Sequence, residues 1–113
     1  MEYFKACTLA ELSSEKPTAV TLDGVSVCLV LSAQGAVFAF ENKCSHEDKP
    51  LNKGKWDSAT CFLTCPFHQA VFALAENAVA KVGPAVLPLQ IFPVERRQES
   101  GFQQIYVGLD SED

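Results

Sequence analysis

The sequence predicts an all-β fold, and three observations predict it. No stretch repeats apolar residues at helical spacing beyond a single turn. The apolar residues fall instead into short runs such as Val25 to Leu31 and Ala36 to Phe40. Turn-forming residues separate those runs, at Asp23-Gly24, Ala33-Gln34-Gly35, Val82-Gly83-Pro84 and Pro88. Many short strands divided by turn signals describe an antiparallel sandwich or barrel-like domain.

The elements follow in chain order. Tyr3 to Cys7 starts the first strand. Thr8 to Leu12 makes one helical turn, with Thr8 as cap and Glu11 as its capping-box partner three residues on. Thr18 to Leu22 and Val25 to Leu31 flank Asp23-Gly24, a strong hairpin signal because both turn positions take positive φ. A second turn at Ala33-Gln34-Gly35 leads into Ala36 to Phe40, completing a three-stranded meander. Residues 42–58 are polar, carry Pro50 and Gly54, and are expected to be a long loop of the functional kind. Strand-like text resumes at Thr60 to Thr64 and Gln69 to Ala73, and Asn77 turns the chain. A closing hairpin is expected from Leu89 to Val94 and Gln103 to Val107, connected through Arg96 to Gly101. Residues 110–113 form an acidic tail.

At 113 residues the chain is expected to be one domain, residues 1–113, with room for a real core. A composition of 48% hydrophobic and 20% charged residues is that of a globular rather than a disordered chain. No apolar run approaches the roughly 20 residues that span a membrane. The start, Met1-Glu2-Tyr3-Phe4-Lys5, has no signal-peptide pattern, so no membrane association and a cytoplasmic location are expected. Nine basic against 14 acidic residues leave a net charge of −5, which argues against a nucleic-acid partner. Such a charge either keeps a small protein dispersed or steers it toward a basic patch on another protein.

Five cysteines, an odd number, argue against a disulfide framework. Cys7, Cys28 and Cys61 lie in apolar text and are expected to be small buried hydrophobes. Cys44 and Cys65 differ, because the chain's only two histidines follow them closely, as Cys44-Ser45-His46 and Cys65-Pro66-Phe67-His68. Each short spacing lets two side chains of a tight loop converge on one point. Two such loops facing each other make a four-donor centre of two thiolates and two imidazoles. That donor set suits zinc or an iron–sulfur cluster. Structural zinc sites more often pair cysteine with cysteine and histidine with histidine.

The order C-x-H followed by C-x-x-H is that of a Rieske [2Fe–2S] centre. The chain here resembles the Rieske-type ferredoxins, small electron carriers of bacterial multicomponent aromatic-ring oxygenases. The likeness runs through both ligand loops, the strand around Phe72, the Gly83-Pro84 loop and the closing Leu87-Pro88…Phe92-Pro93-Val94 segment. It departs at Gln69, where the family usually has glycine, and at Ala75-Glu76-Asn77-Ala78, where a Thr-Gly turn is usual. The resemblance implies a Rieske (ISP-like) fold: an antiparallel base with an inserted cluster-binding subdomain at about residues 43–72. It implies one Rieske [2Fe–2S] cluster per chain, with Cys44 and Cys65 on an inner iron and His46 and His68 on an outer iron nearer solvent. Two ferric ions, two sulfides and two thiolates sum to a neutral core, which raises the potential above that of an all-cysteine cluster.

High-potential members carry an extra disulfide-bonded cysteine in each loop, and a serine and a tyrosine beyond the second histidine. Here those last two positions are Ala70 and Phe72, and Glu47-Asp48-Lys49 follows His46. Hydrogen bonds to the sulfurs stabilise the reduced state, so their absence implies the low-potential end. The expected function is a one-electron carrier, not an enzyme, taking electrons from a flavoprotein ferredoxin reductase and passing them to a terminal oxygenase, and working as a monomer. Glu47 and Asp48, beside His46, are candidate docking residues. Two other readings stay open: a Rieske-like small subunit of an assimilatory nitrite reductase, and a structural zinc-binding interaction module. Trp56, between the loops, is expected to pack inside.

Overall fold

Asp23 and Gly24 take the positive φ values, 50° and 81°, that a two-residue hairpin turn demands, and the sheet around them organises the rest of the chain. The computed structural model describes residues 1–43, 50–66, 70–76, 79–82 and 89–109. Its first strands are β1 (Glu2–Thr8), β2 (Thr18–Leu22), β3 (Val25–Leu31) and β4 (Val37–Glu41). Then come β5 (Lys55–Asp57), β6 (Phe62–Thr64), β7 (Val71–Ala73) and β8 (Val79–Val82). The chain closes with β9 (Ile91–Phe92), β10 (Val94–Glu99) and β11 (Phe102–Leu109). Two 3-10 turns, Leu9–Glu11 and Leu74–Glu76, complete the described elements. The first begins as expected: the Thr8 N–H donates to Glu11 Oε1 at 2.8 Å.

The strands form three antiparallel sheets, ordered β1-β11-β10, β2-β3-β4-β9 and β5-β6-β7-β8. The middle of these is covered on both faces. Val27 and Leu29 of β3 pack with Ile105, Val107 and Leu109 of β11. Cys28 and Val30, pointing the other way, pack with Trp56, Leu63, Cys65 and Phe72. That is why Val27-Cys28-Leu29-Val30 is an unbroken apolar run rather than an alternating one: all four side chains are fully buried. Phe40 and Phe72 are the largest fully buried side chains, each worth about 1.5–3 kcal/mol over an exposed state.

Some elements differ from the sequence expectation, for physical reasons. The polar stretch 42–58 contains β5, whose Trp56 pairs opposite Leu63; one buried residue between two exposed ones leaves no periodicity to detect. β8 is a further short strand, at Val79–Val82, where the sequence predicts no element. Arg96 to Glu99 belong to β10, and the connection shrinks to Ser100-Gly101, again with positive φ. β10 lies at a sheet edge, where charged residues are the rule, so its text looks like loop. Leu89 to Val94 does not form one strand. Pro93, which has no N–H to donate, separates β9, paired with β4, from β10, paired with β11. The expected turn at Asn77, the loop containing Gly83-Pro84 and the acidic tail lie outside the described residues.

Candidate metal centre

Cys65 follows β6 directly and is fully buried. Its N–H donates to the Ala70 carbonyl at 2.7 Å, which ties Cys65 to Ala70. Pro66 follows and has no N–H of its own to satisfy. Ala70 and Phe72, both fully buried, share the core cluster that contains Cys65. No hydroxyl stands at either position. Cys65 is a free cysteine. Cys44, His46 and His68 lie outside the described residues, as do Glu47 and Asp48. Among the described residues, no group of three or more metal-binding side chains comes together.

The described residues do show how the first loop is held at its base. The Asn42 side chain accepts from the N–H of Leu51 at 2.6 Å and of Asn52 at 2.9 Å. Its amide group donates to Ser26 Oγ and to Asn52 Oδ1, both at 3.2 Å. One side chain therefore pins the chain before Cys44 to the chain after Pro50. Leu51, fully buried, joins the same core as Cys65. Gly54 then passes so close to the second loop that a Cβ there would lie 2.5 Å from the Thr64 carbonyl oxygen, one residue before Cys65. The bases of both segments thus hang from a single core. Asn42 and Gly54 escaped the sequence reasoning. The available signal was an asparagine two residues before a ligand loop, a residue type that readily bonds nearby backbone.

The remaining cysteines are chemically distinct. Burial pushes the Cys28 thiol up to about 12 and the Cys7 thiol up to about 11. Cys61 is also raised, by burial and then by the Asp57 carboxylate. Burial thus favours the neutral thiol at all three. Cys28 and Cys61 sit in the core around Trp56, as expected, while Cys7 is only partly buried, against the separate cluster of Val27 and Ile105. Trp56 also packs inside, with its indole N–H donating to the Leu31 carbonyl at 2.9 Å.

Comparison with known proteins now decides the family. Residues 2–93 match the model of the Rieske [2Fe-2S] domain. The chain belongs to that family. Its relatives include the ferredoxin CarAc of Metapseudomonas resinovorans, 25% identical over 96 residues that cover 85% of this chain and 87% of that one. Among solved structures, the ferredoxin of carbazole 1,9a-dioxygenase from Nocardioides aromaticivorans IC177 superposes with a TM-score of 0.82 at 26% identity, covering 97% of this chain and all of that one. The Sphingomonas yanoikuyae B1 ferredoxin gives 0.76 at 28% identity, covering 92% and 97%. This Rieske chain is an electron carrier of the ferredoxin kind rather than a catalyst, and its cofactor is a Rieske-type [2Fe–2S] cluster. The residues present fit that group: Cys65 is a free cysteine tied through its N–H to Ala70, and the sequence offers one further cysteine–histidine pair between Asn42 and Leu51, which are anchored to the same core.

Proposed function

We propose that this protein carries single electrons from a flavoprotein reductase to a terminal oxygenase, as the low-potential Rieske component of a multicomponent system. One observation carries the reading. The segments bearing Cys44-Ser45-His46 and Cys65-Pro66-Phe67-His68 are anchored, through Asn42–Leu51 and Cys65–Ala70, on one buried core in a chain of the Rieske family. In this reading Cys44 and Cys65 hold the inner iron, and His46 and His68 hold the outer one. When bound, the cluster supplies a one-electron couple whose potential is set by its ligands and by hydrogen bonds to its sulfurs. The chain's own part is to fix those ligands, to exclude water on the core side through Leu51, Leu63 and Phe72, and to withhold donors at Ala70 and Phe72.

The oxygenase partner is supported by the likeness to a carbazole dioxygenase ferredoxin. The flavoprotein reductase, the monomeric state, a single domain over 1–113 with a cluster-binding subdomain at 43–72, and a cytoplasmic location belong to the same proposal. Among the described residues no helix is long and apolar enough to cross a membrane. The test is direct. Anaerobically purified protein is red-brown, holds two irons and two acid-labile sulfides per chain, and when reduced shows a rhombic EPR signal with average g below the free-electron value. Its midpoint lies below zero, toward the lower end of the roughly −150 to +300 mV Rieske range. A colourless protein with one zinc, or a midpoint well above zero, overturns the proposal.

A further inference from the structure

The basic residues of this acidic chain are not spread evenly, and their pairing is uneven too. Lys5 meets Glu99 at 3.9 Å, Lys43 meets Glu41 at 3.9 Å, Lys81 meets Glu76 at 2.8 Å, and Arg97 meets Glu95 at 2.6 Å. Arg96 donates to the Gly35 carbonyl. Among the described residues, that leaves Lys16, Lys53 and Lys55 as the basic side chains with neither a carboxylate nor a carbonyl partner, and all three are exposed. Lys16 and Lys53, far apart in sequence, line one surface depression of about 380 Å³ together with Pro17, Asn52 and Gly54. Lys55 follows two residues after Lys53 and pairs opposite Thr64. Asp57, farther along the same strand, is engaged by the N–H groups of Ala59 and Thr60.

The location gives this patch meaning. Asn52 is bonded to Asn42 at the base of the first ligand loop. Gly54 and Lys55 lie against Thr64 at the base of the second. A body seated on the three lysines is therefore beside the bases of both segments, at Asn42, Asn52 and Thr64. A lysine on an edge strand guards against stray strand pairing, and that accounts for Lys55 on β5. It does not account for Lys16 or Lys53, which lie outside any strand.

We propose that Lys16, Lys53 and Lys55 form a cationic docking face beside the bases of the two Cys–His segments, and that its occupant is an acidic surface on a redox partner protein. The inference rests on the electron-carrier reading and adds the sign of the partner's charge. On a chain of net charge −5, unpaired local cations orient an acidic partner toward this face while the rest of the surface repels it.

The test uses the holoprotein and, as probe, reduced plant-type ferredoxin, an acidic protein whose potential lies below the Rieske range and makes it a downhill donor. One electron leaves the probe and arrives on this chain, with no bond made or broken. Stopped-flow mixing measures the second-order rate against ionic strength for the wild type and for K16Q/K53Q/K55Q. Expected is a wild-type rate that falls with salt, a variant at least about tenfold slower at low salt, and convergence of the two at about 1 M, where the Debye length is near 3 Å. An independent readout is carbodiimide coupling to the oxidised probe, with cross-links expected on Lys16, Lys53 or Lys55. Equal rates and salt slopes for both proteins, or cross-links confined to Lys5 and Lys81, overturn the proposal. So does saturable inhibition by inorganic phosphate at constant ionic strength, which marks a small-anion site instead. If the triple variant fails to hold its cluster, K53Q alone and the wild-type salt slope decide. A chain that even dithionite cannot reduce refutes the electron-carrier reading; a chain reduced normally but indifferent to its lysines refutes only the docking face.

Discussion

Replacing Asn42 by alanine removes the clasp at the base of the first ligand loop. The wild-type side chain oxygen accepts two backbone N–H groups, from Leu51 at 2.6 Å and Asn52 at 2.9 Å. A typical bond of this kind contributes about 1 kcal/mol net. Leu51 is fully buried, so its N–H loses its acceptor where water cannot replace it, at about 1–3 kcal/mol. Together these predict a loss of about 2–4 kcal/mol, a large share of the roughly 5–15 kcal/mol that stabilises a typical domain. Urea unfolding of the holoprotein, followed by Trp56 fluorescence and by visible absorbance of the cluster, measures it. With a slope of about 2 kcal/mol/M, the midpoint falls by roughly 1–2 M. Asn42→Asp keeps the acceptor oxygens and loses only the two 3.2 Å donations, to Ser26 and Asn52, so it loses less than half as much. An Asn42→Ala midpoint within about 0.2 M of wild type refutes the reasoning. So does an aspartate variant as damaged as the alanine one.

Other outcomes follow from the same geometry. Gly54→Ala puts a Cβ 2.5 Å from the Thr64 carbonyl, a backbone atom that cannot step aside, so it destabilises by about 1–3 kcal/mol and speeds cluster loss; calorimetry and the decay of visible absorbance check both. Phe72→Tyr adds a donor in the buried set around Cys65. If it stabilises the reduced state by about 1–1.5 kcal/mol, the midpoint rises by roughly 45–65 mV in a redox titration, and an unchanged or lowered midpoint counts against the low-potential account. Cys28 gives a pH dependence. Its thiol is pushed from 9.0 to about 12 in the fold, so between those values the folded chain keeps a proton that the unfolded chain has released. Stability is then full below pH 9 and falls as pH rises toward 12, and Cys28→Ala flattens that alkaline decline in urea titrations repeated across the range. An equal decline in both proteins rules the thiol out as its source.

Much of this molecule was legible from local text. Asp23-Gly24 specified its hairpin because positive φ is a property of those two residues, independent of their surroundings. The Thr8–Glu11 pairing is local in the same way. The two Cys–His pairs named the chemistry, since thiolate and imidazole at those spacings have few other uses. What only the tertiary structure decided were matters of long-range partnership. β5 and β10 are strands because β6 and β11 supply their hydrogen bonds, and neither carries a periodic apolar face of its own. Pro93 divides one apolar run between two sheets because β4 and β11 wait on either side of it. Asn42 becomes a clasp only when the chain returns at Leu51, and Lys16 becomes a neighbour of Lys53 only when the first third of the chain folds against the second. Local chemistry proposed the donors of the centre, and contacts distant in sequence set the frame at the bases of the segments that carry them and the charge beside it.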